Sequence, residues 1–186
     1  TLDYNHPVMI ARMQKLLDSL HAALGTAQVH ALFLGQEIGD FLGTDAAKWA
    51  QYKAFMQAAA TRAQALWGST VRVGTVGNFY HLLDATRGPL YRDVFTVCDV
   101  YATSYYPINA DYTMAAPTRV QADFDLLAGG FTGKPIYILG AGYSSAPVCN
   151  SSDSLQAAFI QHLYTAWDAH SAAIPAVGFT LLHDAN

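Results

Sequence analysis

With 186 residues, 52% of them hydrophobic and only 13% charged, the chain has apolar material for one ordinary core and about half the usual share of charge. A net charge of −4, no Lys/Arg run and aromatics that are not interleaved with bases argue against a nucleic-acid groove, and the longest apolar stretches are strand-sized, too short for a transmembrane helix. Cys98 and Cys149 fit either redox compartment. The chain starts at Thr1 rather than Met, so the absence of a signal peptide says little about export; a secreted or periplasmic setting is favoured over a cytoplasmic one.

Helix-period and strand-like segments alternate along the chain. Pro7 suits a first helical turn, and Val8, Met13, Leu16, Leu17, Leu20 and Leu24 recur at helical spacing until Gly25. A strand is expected at 29–35. Thr44 and Asp45 can cap a second helix with the face Trp49, Tyr52, Met56, Ala60, Ala63 and Trp67, stopped by Gly68. A strand at 71–76, a less regular helical piece over about 82–95 and a strand at 97–103 follow. Next come a helix from Arg119 to Leu127 closed by Gly129 and Gly130, and a strand at 134–139. A helix capped by Ser152 or Asp153 carries Leu155, Phe159, His162, Leu163, Ala166 and Trp167, and a last strand spans 176–182.

Strands separated by helices require right-handed crossovers and parallel pairing, and continuously apolar strands fit a sheet covered on both faces. An open doubly wound sheet and part of a (β/α)8 TIM barrel both satisfy this. No Gly-rich dinucleotide fingerprint follows the first strand and no phosphate loop occurs, so no cofactor is expected. Polar and aromatic residues cluster just after the strands: Gln36 and Glu37; Asn78, Tyr80 and His81; Ser104, Tyr105 and Tyr106; Tyr143; His183 and Asp184. That is the layout of a barrel's active face.

Glu37 is the only glutamate in the chain and directly follows an apolar strand. Glutamate is normally common on solvated helices, so a single one in this place reads as a working carboxylate, set against a mundane alternative as a helix cap.

From these residues the chain resembles the second half of the clan A retaining glycoside hydrolases. Gly35-Gln36-Glu37 is similar to the Gly-Asn-Glu that ends their fourth strand, with Gln36 in place of Asn. Tyr105-Tyr106-Pro107 is similar to the end of their sixth strand, and Lys134-Pro135-Ile136 through Gly142-Tyr143 to the seventh, with Gly140 at the nucleophile position. The resemblance implies a single barrel-type domain over 1–186, running from the third helix to the eighth strand and incomplete at both ends. About five strands cannot close a barrel, so a piece of a longer protein, self-association or an open sheet is expected, the first being preferred.

The resemblance also implies chemistry. A retaining glycosidase uses two carboxyl groups about 5–5.5 Å apart, one protonating the leaving oxygen and one attacking the anomeric carbon. Glu37 takes the acid/base role, with Asp40 as a negative neighbour that would raise its pKa or as a helix cap. Gly140 is the vacated nucleophile position, so hydrolysis of a β-linked oligo- or polysaccharide is expected to be disabled. An engineered nucleophile variant or glycosynthase, a natural carbohydrate-binding pseudoenzyme, and Asp184 as a substitute carboxylate are the alternatives. Gln36, Asn78, Tyr105, Tyr143 and His183 are the substrate-binding candidates, each of the tyrosines with a packing alternative. Tyr80 and Tyr106 are further stacking candidates, while His81 bonds hydroxyls or is a satisfied rim histidine. His162 and Trp167 read as core and Cys98 as buried and inert. No metal-ligand spacing occurs, and Gly140 to Ser145 lacks the order of a serine-hydrolase elbow.

Overall fold

The computed structural model describes residues 2–179, and in them five strands and seven α-helices form an α/β fold. The strands are β1 (Ala31–Gln36), β2 (Arg72–Asn78), β3 (Tyr101–Tyr105), β4 (Ile136–Ala141) and β5 (Ala176–Phe179). They form one parallel sheet in the order β1-β2-β3-β4-β5, a sheet that does not close, compatible with part of a barrel. By contact the chain divides into two compact units, Thr1–Ala102 and Thr103–Asn186.

The first unit carries α1 (Pro7–Leu24), α2 (Gly39–Leu42), α3 (Ala46–Trp67), α4 (Phe79–Leu83) and α5 (Arg87–Phe95). Its core is the apolar face of α3 set against β1, β2, α1 and α5, with Trp49, Tyr52, Met56, Ala59 and Ala63 almost fully buried. Burial of each large side chain contributes about 1.5–3 kcal/mol. Asp45 caps α3 as its position suggested, its carboxylate accepting from the N–H groups of Ala47 and Lys48 at 3.0 and 3.2 Å. The expected helix over 82–95 is two helices. The Asp84 carboxylate accepts the N–H groups of Thr86 and Arg87 at 2.9 and 2.7 Å, which ends one helix and starts the next.

The strand expected at 97–103 begins only at Tyr101. Val97 and Cys98 still donate to Val94 and Phe95, prolonging the last turn of α5. The Asp99 carboxylate then takes the Val73 N–H at 2.9 Å, and Cys98 is buried.

The second unit carries α6 (Arg119–Gly130) and α7 (Asp153–His170), joined to β4 and β5. Phe124 and Leu127 of α6 and Phe159, Leu163 and Ala166 of α7 are fully buried, where the two helices pack together. α6 continues through Gly129 and Gly130, which were expected to end it, because the Phe131 N–H still reaches the Leu127 carbonyl at 3.0 Å. Ser152 caps α7 through the Leu155 N–H. His162 is half-buried on α7, and the Trp167 indole N–H donates to the Ile174 carbonyl at 2.7 Å.

Candidate functional site

The residues around Glu37 are assembled by β1 and β2. The two strands run in register from Ala31↔Arg72 to Phe33↔Gly74, then slip by one residue so that Gln36 faces Val76. This bulge re-aims the end of β1. It is held from three sides: the Tyr52 hydroxyl donates to the Leu34 carbonyl at 3.0 Å, Thr75 Oγ1 donates to the Gly35 carbonyl at 3.2 Å, and the Glu37 N–H reaches the Val76 carbonyl at 2.8 Å.

Glu37 itself adopts φ 50°, the left-handed region that L side chains avoid. Backbone strain of this kind costs about 1–3 kcal/mol and persists only where the surroundings over-determine it. They do so through the short helix that follows. The Gly39 N–H donates to the buried Tyr91 hydroxyl at 3.1 Å, and a side chain at Gly39 would collide with that hydroxyl. The Trp49 indole N–H donates to the Gly43 carbonyl at 3.0 Å, fixing the other end of α2. Burial pushes the Tyr91 phenol up to about 12, against the opposing effect of backbone N–H groups of Gly39 and Asn78, so it stays neutral at working pH.

A compact charged group borders this turn. His81 of α4 meets Arg87 of α5 through Nε2 and faces Asp40 of α2 through Nδ1, at 3.6 Å. Burial, then the Arg87 charge, hold the imidazole below the ordinary histidine range, while Asp40, Asp84 and Glu37 pull the other way. Asp40 is therefore a polar neighbour of His81 in this turn, paired with it as an ion only when the imidazole is protonated. Asn78, at the end of β2, uses its side-chain oxygen to cap α4 by accepting the Tyr80 N–H at 3.0 Å. Gln36 is exposed and Glu37 half-buried.

In the second unit, Tyr105 ends β3 fully buried. Its hydroxyl donates to the nearly buried Asp123 carboxylate of α6 at 2.9 Å, and its ring packs edge-on to Phe124. Tyr143 is also buried, donating to the Ala115 carbonyl at 2.7 Å and stacking on Phe159. Burial raises its phenol pKa. Both hydroxyls thus bond within the fold, consistent with the packing alternative for each tyrosine. Tyr106 is half-buried and its ring lies where a Gly142 side chain would stand.

Gly140 is a buried residue of β4, and it is the bulge residue. Leu139 pairs with Gly178 and Ala141 with Phe179, leaving Gly140 as the extra residue, with φ 154°. His183 and Asp184 lie outside the described residues.

Sequence reasoning located Glu37 and the strand-end cluster but missed Tyr91, Arg87 and Trp49 as its supports. The glycine at position 39 hints at a close approach there, but nothing local identifies Tyr91, 52 residues away, as the approaching group. Among the described residues no group of three or more His, Cys, Asp or Glu could hold a metal ion, and no helix is long and apolar enough to cross a membrane. No family model matches the chain, and no curated protein matches it.

Proposed function

We propose that this is a glycoside hydrolase-like protein of the retaining clan A type that binds β-linked carbohydrate, with Glu37 as the proton donor and Gly140 at the nucleophile position. The observation that carries the reading is the sole glutamate, held in a strained left-handed conformation at a bulge where a parallel strand ends. Strain maintained by a network of buried tyrosines and a tryptophan supports reading this as a position kept for its side chain. The resemblance of the strand-end motifs in their chain order supports the same assignment.

Without an attacking carboxylate, double displacement cannot begin. A second reading, a natural carbohydrate binder, is favoured by the Gly140 backbone. At φ 154° within a bulge the position suits glycine, and a glutamate there would be strained by about 1–3 kcal/mol.

External azide separates the two readings. In a disabled enzyme, azide attacks the anomeric carbon of an unactivated phenyl β-glycoside, the bond to the aryl oxygen breaks, and that poor leaving group takes the Glu37 proton as it departs. The products are an inverted glycosyl azide and a phenol. Azide-dependent phenol release that disappears in Glu37→Gln supports the disabled enzyme. Saturable sugar binding with no release supports the binder, and neither binding nor release overturns both.

A further inference from the structure

We infer that His81 is a positioning residue: as a neutral imidazole with its proton on Nδ1, it joins Arg87 on α5 to Asp40 on α2 and so holds the turn that carries Glu37. That this turn serves carbohydrate rests on the function proposed above, but the device itself stands on geometry. A guanidinium has only donors, so the Arg87 contact requires His81 Nε2 to accept. The ring proton then sits on Nδ1. That atom is buried and has no hydrogen-bond partner, and the Asp40 carboxylate oxygen is 3.6 Å away.

Asp40 is more than half exposed, so it has room to close on the Nδ1–H, whereas a ligand hydroxyl cannot reach that buried atom. Asp40 is also the second residue of α2, the helix whose Gly39 N–H is tied to Tyr91. Closure of Asp40 onto the Nδ1–H completes a chain from Arg87 through His81 to Asp40 and adds a side-chain brace to the backbone anchor of the turn.

The charged groups facing His81 are Arg87 from α5, Asp84 from the connection before it, Asp40 from α2 and Glu37 from the turn after β1. A second proton on His81 would put a donor against the Arg87 guanidinium and draw the ring toward the carboxylates. Acid should thus break the Arg87 link and shift the turn, giving the site a pH-dependent affinity.

Nitrogen-15 spectra of the intact chain test the tautomer directly. The expected result is a neutral His81 protonated on Nδ1 at pH 7, titrating below the ordinary histidine range. A proton on Nε2, or an imidazolium at pH 7, overturns the proposal. Amide exchange of Glu37 and Gly39 provides a second readout that needs no sugar. His81→Leu should speed it by about tenfold, whereas His81→Gln, which can still accept and donate, should restore most of the protection. Unchanged exchange in His81→Leu also overturns it. With an oligosaccharide that binds, affinity should fall as pH drops through the His81 midpoint in the parent chain and stay flat in His81→Gln. If no oligosaccharide binds, the carbohydrate reading fails while the spectra and the exchange still decide the positioning role.

Discussion

Glu37 combines the two least ordinary properties of any residue in this chain, being its single glutamate and one of three described non-glycine residues at positive φ. An L-residue in the left-handed region is disfavoured by about 1–2 kcal/mol, a penalty that glycine escapes. Glu37→Gly should therefore raise the free energy of unfolding by about 1 kcal/mol in a urea titration while removing the carboxylate. A destabilised variant would mean that contacts of the Glu37 side chain, rather than the site's need for a carboxylate, hold the strained backbone. His81 has the opposite character, a residue whose neutral form the fold favours. Its folded-state pKa is lowered by burial and by Arg87, so the unfolded chain takes up the proton first. Its contribution is full above the unfolded value of about 6.5 and is lost as pH falls from there toward the folded-state midpoint. Stability measured against pH should decline across that window, and less steeply in His81→Gln. Composition alone singles out Glu37 as a candidate; its backbone conformation was not legible, because glutamate carries no local preference for that region.

The long helices were read closely at the level of elements, and for identifiable reasons. Pro7 opens α1, Asp45 and Ser152 cap α3 and α7, and Gly25 and Gly68 follow the ends of α1 and α3. Short elements were not, because their supports are remote in sequence. Helix α2 is a four-residue turn held by Tyr91 and Trp49, and the division between α4 and α5 depends on a single aspartate. The bulges in β1 and β4 are equally invisible in an apolar run, since a strand pattern does not record where its partner slips. The support of α2 makes a direct prediction. Tyr91→Phe leaves the Gly39 N–H without its buried acceptor, costing about 1–3 kcal/mol, and exchange should accelerate at Gly39 before it does in α3. Uniform acceleration throughout the first unit would show instead that Tyr91 acts through general packing.

For the whole molecule, the alternation of strands and helices was enough to anticipate a parallel α/β sheet, because crossover connections leave little topological choice. The strand order from β1 to β5 follows the chain order, and the ends of β1 and β2 bring Gln36, Glu37, Asn78 and His81 into one neighbourhood as their positions after strands suggested. Tyr105 and Tyr143 illustrate the limit of such reasoning. A tyrosine at a strand end has an apolar body and a polar tip, and its sequence position does not say which one the core claims; here the core holds both rings and both hydroxyls. The central claim is a carbohydrate site organised by Glu37, and calorimetric titration of the intact chain with β-linked gluco-, manno- and galacto-oligosaccharides tests it most directly. Saturable binding of at least one of them is expected, with the sugar recovered uncleaved and a loss of about tenfold or more in affinity, about 1.4 kcal/mol, in Glu37→Ala. Binding to none of the sugars, or equal affinity in the parent chain and Glu37→Ala, would contradict it.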